Sequence, residues 1–212
     1  MHKLLQGIHL FQRDVFGEHE EEFVRLVQGQ HPEVLFITCS DSRLNPDLLM
    51  QARPGDLFVL RNAGNIVPPY GEGPGGEAAT IEFALELLMV QHIVVCGHSH
   101  CGAMQALLRH EHQAALPATT RWLRLADPTR RLVHERYGHL PDDEQLNVAI
   151  QENVLLQLDT IRTHPSAARR LAEGRLNLHA WVYKFETGEV FSFDPRVEQF
   201  LPLKVAGYRP SV

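Results

Sequence analysis

Two short apolar runs decide the fold: VLFITC at residues 34–39 and IVVC at residues 93–96. Continuous apolar runs of this length, bounded by polar residues or glycine, are typical of strands buried on both faces of a parallel sheet. Leu57–Leu60 predicts a third strand of this kind. Leu178–Phe185 predicts a further strand. The turn residues at 186–189 connect it to Val190–Phe193, so the two segments are expected to form a hairpin.

Helical patterns separate these strands. Glu77–Val90, Gly102–His110 and Asn147–Thr163 carry apolar residues at steps of three and four. The first 28 residues also predict a helix, interrupted near Gly17. Alternating strands and helices predict an α/β fold with a mainly parallel central β-sheet flanked by helices, an N-terminal helical arm and a C-terminal β-hairpin. We expect residues 1–212 to form a single domain.

Composition narrows the classes of function. The chain has 212 residues, with 20 Lys and Arg against 26 Asp and Glu and a formal charge of −6, so it lacks a global basic field for nucleic acid. Its apolar runs fall far short of the roughly 20 residues that span a bilayer. The N-terminus has no signal-peptide core, so we expect a soluble cytoplasmic protein without nucleic-acid or membrane partners. Three cysteines are an odd number, which favours metal binding or catalysis over disulfides.

Cysteine and histidine stand where the first and third predicted strands end. Cys39 closes one strand, and the sequence GHSHCG at residues 97–102 follows the other. Ligands of such sheets bind at the carboxyl ends of the strands. Two thiolates and one imidazole, from Cys39, His98 and Cys101, would hold zinc and leave a fourth tetrahedral position open. Each cysteine alone could equally be a small core residue.

The neighbouring candidates receive other roles. Cys96 ends an apolar run, so we assign it to packing in the sheet. His100 is an alternative to His98 as the histidine ligand of the metal. It is adjacent to Cys101 in sequence, however, which makes it awkward for both side chains to bind one ion. We therefore treat His100 as a pocket residue or proton relay. The other histidines named next occupy polar contexts and are expected to face solvent. They are His2, His9, His110, His112, His134, His139 and His164.

Asp41 and Arg43 form a second chemical unit two and four residues after Cys39. They could be an ion pair that only fixes the loop. In the functional interpretation, Asp41 accepts a hydrogen bond from metal-bound water, or ligates the metal when Arg43 releases it. Zinc with two thiolates is formally neutral and acidifies its water less than zinc held by three imidazoles, so a positioned acceptor is useful.

The glycine-rich sequence GEGPGG at residues 71–76 matches a dinucleotide-binding pattern. It does not directly follow a predicted strand, a proline interrupts it, and no acidic residue stands at the end of the next strand. A loop near the pocket or a subunit contact fits this segment better.

The motifs CSDSR at residues 39–43 and HSHCG at residues 98–102 resemble the two signature motifs of the β-class carbonic anhydrases. The likeness continues through Gly55–Asn65, residues 68–71, Glu152–Val154 and His179–Tyr183, and so covers nearly the whole chain. The pattern is most similar to the bacterial branch associated with cyanate metabolism, which also resembles plant and cyanobacterial enzymes.

This resemblance implies zinc (Zn²⁺) held by Cys39, His98 and Cys101. Asp41 would be a fourth ligand only in a closed, inactive form; in the open form it would pair with Arg43. Phe36 stands where the bicarbonate-inhibited branch carries tryptophan, which argues against that regulatory site. The substrate pocket implied by the resemblance comprises Gln30, Phe58, Ala63, Phe83 and Gly102. At Phe83, plant-like members carry a tyrosine, so one cleft hydroxyl is missing.

The implied reaction is the reversible hydration of carbon dioxide to bicarbonate and a proton, via zinc-bound hydroxide. The family implies homodimers, often paired into tetramers, with N-terminal helices embracing the neighbour, so that Gln30, Phe58 and Phe83 would complete a pocket across the interface. Two alternatives share these motifs. One is a hydrolase of carbonyl sulfide or carbon disulfide; the other is a non-catalytic zinc or scaffold protein, against which the Asp41–Arg43 pair argues, because structural zinc sites are closed by four protein ligands.

Overall fold

A six-stranded mixed sheet forms the centre of the protein. The computed structural model describes residues 1–72, 75–109 and 115–204. Along the sheet the strands lie in the order β2-β1-β3-β4-β5-β6; the first four are parallel, and the last two run antiparallel to their neighbours. The strands are β1 (Val34–Cys39), β2 (Leu57–Asn62), β3 (His92–His98), β4 (Asn177–Tyr183), β5 (Val190–Asp194) and β6 (Gln199–Pro202). The predicted α/β class, the mainly parallel sheet and the C-terminal hairpin are confirmed, and β6 extends that hairpin.

The sheet register aligns the strand ends that carry the predicted site. Cys39 pairs with Asn62 of β2, and Thr38 pairs with Cys96 of β3. His98 is the last residue of β3, two residues after Cys96. The carboxyl ends of β1, β2 and β3 therefore meet at one edge, as parallel strands joined by crossovers require.

Ten α-helices surround the sheet in the described part of the chain. They are α1 (His2–Leu10), α2 (Phe16–Glu18), α3 (Glu20–Leu26), α4 (Pro46–Met50), α5 (Gly76–Glu86), α6 (Gly102–Arg109), α7 (Pro117–Leu123), α8 (Asp127–Tyr137), α9 (Asp142–Arg162) and α10 (Pro165–Ala172). Helices α4, α7, α8 and α10 were not predicted. Helices α4, α7 and α10 have eight residues or fewer, and five of the eleven residues of α8 are Asp, Glu or Arg.

Helix α9 covers the core face of the sheet. Its predicted apolar stripe of Val154, Leu158 and Ile161 is buried, as the periodicity indicates. The helix approaches the backbone of β3 closely because Gly97 has no side chain: a Cβ there would lie 2.9 Å from Cγ2 of Val154. Gly97 thus lets α9 pack directly behind the strand that presents His98.

Strand β2 departs from its prediction. The run Leu57–Leu60 predicts burial on both faces, but Val59 is 36% exposed and the strand is only partly buried. It lies at the edge of the sheet, where one side has no neighbouring strand in the described chain. Helix α5 also ends earlier than predicted, at Glu86, since Met89 adopts a left-handed backbone conformation with φ of 59°.

The N-terminal arm is helical but not continuous. Helices α1 and α2 flank a π-helical stretch at Phe11–Val15, and the break before α3 falls at His19 rather than at Gly17. None of the arm's helical residues is buried, and Leu4, Ile8 and Phe11 are among its exposed apolar side chains. Nowhere in the described ranges is a helix both long and apolar enough to cross a membrane.

Candidate active site

A buried Cys-His-Cys cluster lies where β1 and β3 end. Cys39 is the last residue of β1, His98 is the last residue of β3, and Cys101 directly precedes α6. One ligand atom from each of the three side chains lies within 4.8 Å of the other two. The parallel register brings the two strands side by side, and the short turn after His98 carries Cys101 back to the same point. The structure therefore brings together the three residues that the sequence singled out as metal ligands.

His98 is oriented for metal binding. Its Nδ1 atom lies 2.9 Å from the carbonyl oxygen of Ser99, which places the proton on Nδ1. Its Nε2 atom is fully buried and has no hydrogen-bond partner in the described chain. A buried lone pair facing two sulfur atoms is costly unless a cation accepts it. Two thiolates and an imidazole are a zinc-type donor set, so the residues fit that metal.

His100 lies outside this cluster. Its backbone is left-handed, with φ of 54°, which turns the side chain away. Its Nε2 atom lies 2.6 Å from Oε1 of Glu186, and both side chains are about half exposed. The other carboxylate oxygen of Glu186 accepts a hydrogen bond from Ser99 at 2.7 Å. His100 therefore lies at the exposed edge of the site and is not part of the buried cluster.

The two cluster cysteines shift each other's pKa through their neighbouring sulfur atoms. The Cys101 thiol donates to the Cys39 sulfur, which lowers the pKa of Cys39 to about 4 and raises that of Cys101. The backbone N–H of Gly64 also points at Cys39 Sγ, at 3.4 Å, and stabilises its thiolate form. The thiolate is the form that ligates metals, so a cation bound by both cysteines would displace the protons that they carry.

Cys96 has the opposite environment. It is fully buried in a small apolar cluster with Phe36 and Val94, on the other face of the sheet from the main core. Burial raises the pKa of its thiol to about 12, so it stays protonated. The assignment of Cys96 to packing is confirmed.

Asp41 and Arg43 form a bidentate ion pair beside the cluster. Arg43 donates from Nε to Oδ1 of Asp41 at 2.9 Å and from Nη2 to Oδ2 at 2.7 Å. The side-chain bond from Arg43 and the backbone N–H of Arg43 hold the pKa of Asp41 well below its usual range. Oδ2 of Asp41 lies 3.8 Å from Nε2 of His98, so the carboxylate faces the cluster while its oxygens remain bound to Arg43.

Arg61 stabilises the loop that carries Asp41, and this role was not predicted from the sequence. Its guanidinium donates to the carbonyl oxygens of Cys39 at 3.0 Å, Asp41 at 2.8 Å and Leu44 at 2.9 Å. It reaches them because Thr38 and Arg61 are register partners. Only the pairing of β1 with β2 reveals this role, since the residues are about 20 positions apart in sequence.

Buried polar side chains of α9 and of His164, which directly precedes α10, hold the loop after β2, and these contacts were also not predicted. Asn153 donates to the carbonyl oxygen of Gly64 at 3.0 Å, and Gln157 accepts from the N–H of Val67 at 2.8 Å. The prediction that His164 faces solvent is wrong. Its side chain is 2% exposed, and Nε2 lies 3.0 Å from the carbonyl oxygen of Pro68, because the buried loop backbone needs a partner there.

The other histidines that were expected to face solvent divide into two groups. His2, His9, His134 and His139 are exposed as expected. His110 and His112 lie outside the described residues. So do two residues of the glycine-rich segment 71–76, Gly73 and Pro74; the segment begins nine residues after β2 ends, and Gly76 opens α5.

The predicted substrate-pocket residues fall at two ends of the sheet. Ala63 directly follows β2, and Gly102 opens α6 next to Cys101, so both lie near the cluster. Phe58 pairs with Leu35 near the other end of β1 and stacks on Phe83 of α5 at a centroid distance of 5.8 Å. Gln30 is exposed and precedes β1. One chain therefore does not bring Gln30, Phe58 and Phe83 to its own cluster.

Comparison with known proteins identifies the family. A sequence model described as carbonic anhydrase matches residues 34–190. A carbonic anhydrase from Synechocystis sp. is 47% identical over 95% of this chain and 74% of its own length. The solved β-carbonic anhydrase CcaA has a TM-score of 0.94 and 46% identity, covering 96% of this chain and 99% of that one.

A second solved structure extends the comparison to a more distant relative. It is one of two tetrameric β-carbonic anhydrases from Sordaria macrospora, with a TM-score of 0.82 and 29% identity over 90% of this chain and 95% of that one. The family model covers well over half of the chain, and the folds coincide over almost its entire length. The chain belongs to the β-carbonic anhydrase family.

Proposed function

We propose that this protein catalyses the reversible hydration of carbon dioxide to bicarbonate and a proton, with zinc held by Cys39, His98 and Cys101. The observation that carries the proposal is the buried lone pair of His98 Nε2, which faces two cysteine sulfurs and has no hydrogen-bond partner among the described residues. Three protein ligands leave one zinc position for water, the arrangement of a catalytic rather than a structural site.

Bound zinc would supply Lewis acidity, lowering the pKa of a coordinated water towards neutrality. Asp41 faces this position as a carboxylate, since Arg43 keeps its pKa well below the usual range. It is therefore an acceptor that orients the attacking water towards the carbon of CO2. Both carboxylate oxygens of Asp41 are bound to Arg43, so Asp41 would stay paired with Arg43 when a metal binds, as in the open form of the site.

The substrate pocket is proposed to be shared between two copies of the chain. Ala63 and Gly102 would line it next to the metal, while Gln30, Phe58 and Phe83 of a second copy would complete it. This arrangement agrees with their position at the far end of their own sheet and with the exposed apolar residues of the N-terminal arm. We propose a homodimer, able to pair into a tetramer, formed by a single-domain cytoplasmic protein.

A stopped-flow pH-indicator assay on protein of verified zinc content tests the proposal. The wild-type chain should hydrate CO2 with a rate that rises with pH. Asp41→Asn should retain zinc but lower kcat about 100-fold, because the neutral amide is a weaker acceptor than the carboxylate and loses the bidentate ion pair with Arg43. Zinc-loaded wild-type protein without CO2 hydration would contradict the proposal. Turnover of carbonyl sulfide in its place would support the sulfur-analogue alternative, which no described feature favours.

A further inference from the structure

The peptide bond between Ala63 and Gly64 lies beside Cys39, one of the three residues of the cluster. Its N–H group points at the sulfur of Cys39, at 3.4 Å, in the buried interior of the site. Hydrogen bonds of this kind lower the electron density that a thiolate gives to a metal. The position of this peptide therefore affects the metal as well as the loop.

The peptide is held on both sides by side chains from distant helices. Trp122 of α7 donates its indole N–H to the carbonyl oxygen of Ala63 at 2.8 Å. That oxygen and the N–H of Gly64 belong to the same peptide unit. Asn153 of α9 donates to the next carbonyl oxygen, that of Gly64, at 3.0 Å. The two donors fix the peptide plane, and the bond from Trp122 polarises it so that its N–H is a stronger donor.

The side chain of Asn153 and the backbone of Gly64 are themselves held in place. Asn153 is 1% exposed, and its side-chain oxygen accepts a hydrogen bond from Gln157 at 2.9 Å. Gly64 has a φ of 85°, and a Cβ there would lie 3.1 Å from both Ala103 Cβ and Met104 Cε of α6. Any larger residue at this position would be strained in its backbone and crowded by α6, so the conformation of this peptide requires glycine.

We propose that Trp122 and Asn153 are positioning residues that tune the metal centre by holding the Ala63–Gly64 peptide against Cys39. Neither side chain touches the cluster, and neither charge nor titration is involved. The inference rests on the proposed function only in that Cys39 ligates the metal.

Cobalt substitution tests this inference without an activity measurement. Co²⁺ bound by two cysteines gives a thiolate-to-metal charge-transfer band. Trp122→Phe keeps the aromatic ring but removes the donor to Ala63, and Asn153→Leu keeps the volume but removes the donor to Gly64. In each variant the sulfur should become a stronger electron donor, so the band should move to lower energy, and zinc affinity should change about 10-fold.

Thr163→Val is the matched control, because it removes another loop anchor far from Cys39. Thr163 accepts the N–H of Tyr70 at 2.9 Å. This variant should leave the cobalt band unchanged even if it lowers the thermal stability. An unshifted band in Trp122→Phe, the variant that best preserves packing, would overturn the inference, as would an equal shift in Thr163→Val. A wild-type protein without the band would also remove Cys39 from the ligand set and so contradict the proposed function itself.

Discussion

At the scale of single residues, the three cysteines differ in what surrounds their sulfur atoms. Cys39 receives hydrogen bonds from Cys101 and from the backbone of Gly64, so its pKa falls to about 4. Cys96 is surrounded by apolar side chains, and burial raises its pKa to about 12. The ligand atom of Cys39 also lies within 4.8 Å of those of His98 and Cys101, whereas Cys96 is not a member of that cluster.

This contrast predicts different outcomes for two cysteine substitutions. Cys39→Ser should lose stoichiometric zinc and CO2 hydration together, because a neutral hydroxyl replaces a thiolate ligand. Cys96→Ala should retain zinc and activity, at a modest cost in stability for the small cavity it leaves. Metal analysis by mass spectrometry, combined with the hydration assay, measures both. Zinc loss in Cys96→Ala, or full zinc content in Cys39→Ser, would contradict the ligand assignment.

At the scale of elements, the packing of α9 on β3 places the histidine ligand. Gly97 immediately precedes His98, and the space beside it is filled by Val154 and Ile150 of α9. Because the helix packs against the residue before His98, we expect its position to set where the end of the strand lies. The geometry of the metal cluster therefore depends on a contact on the opposite side of the strand.

Gly97→Val should disturb both stability and the site. The added side chain would overlap Val154, whose Cγ2 lies 2.9 Å from the position of a Cβ, and overpacking of this kind costs about 1–3 kcal/mol of unfolding free energy. Urea unfolding measures that loss, and a lower zinc affinity would report the displaced His98. Gly76→Ala is the control, because a Cβ there meets nothing within 4 Å. Unchanged stability and affinity in Gly97→Val would show that the helix can move without cost.

At the scale of the whole molecule, a single chain leaves apolar surface exposed. The N-terminal arm exposes Leu4 at 67% and Ile8 at 53%, and Phe83 is 43% exposed on α5. Apolar side chains spaced along one helix and left without cover indicate an interface. The proposed pocket residues Gln30, Phe58 and Phe83 lie away from their own chain's cluster, as expected if they complete the pocket of a second copy bound at this surface.

A shared pocket predicts that two inactive variants restore each other's activity. Phe83→Asp should keep zinc but lose activity, since it places a charge in the partner's pocket. Mixed with Cys39→Ser under conditions that exchange subunits, it should recover about a quarter of the wild-type activity, because half of the dimers are mixed and each holds one intact site.

Cys39→Ser mixed with Cys101→Ser is the control, since both changes lie in one chain's cluster and should recover no activity. No recovery in the first mixture, despite verified exchange by native mass spectrometry, would place the whole pocket within one chain.

Much of the fold and the metal ligands followed from local sequence patterns. Strands β1 and β3 are short apolar runs, and Cys39, His98 and Cys101 stand at or just after their ends. The rule that parallel strands share one carboxyl edge was sufficient to bring these ligands together. The strand at β2 was predicted, but its burial on both faces and the exposure of His164 were predicted wrongly, because burial depends on which neighbours the fold supplies.

The supporting contacts were decided by tertiary structure alone. Trp122 and Ala63 are 59 residues apart, Asn153 and Gly64 are 89 apart, and His164 and Pro68 are 96 apart. No local pattern marks such pairs, since a polar residue on an apolar helix face has the same sequence signature whatever it contacts. The sequence by itself determined which side chains can bind the metal, because donor chemistry belongs to residue type. Their orientation was decided only by tertiary structure, because it depends on the packing of distant helices around the loop after β2.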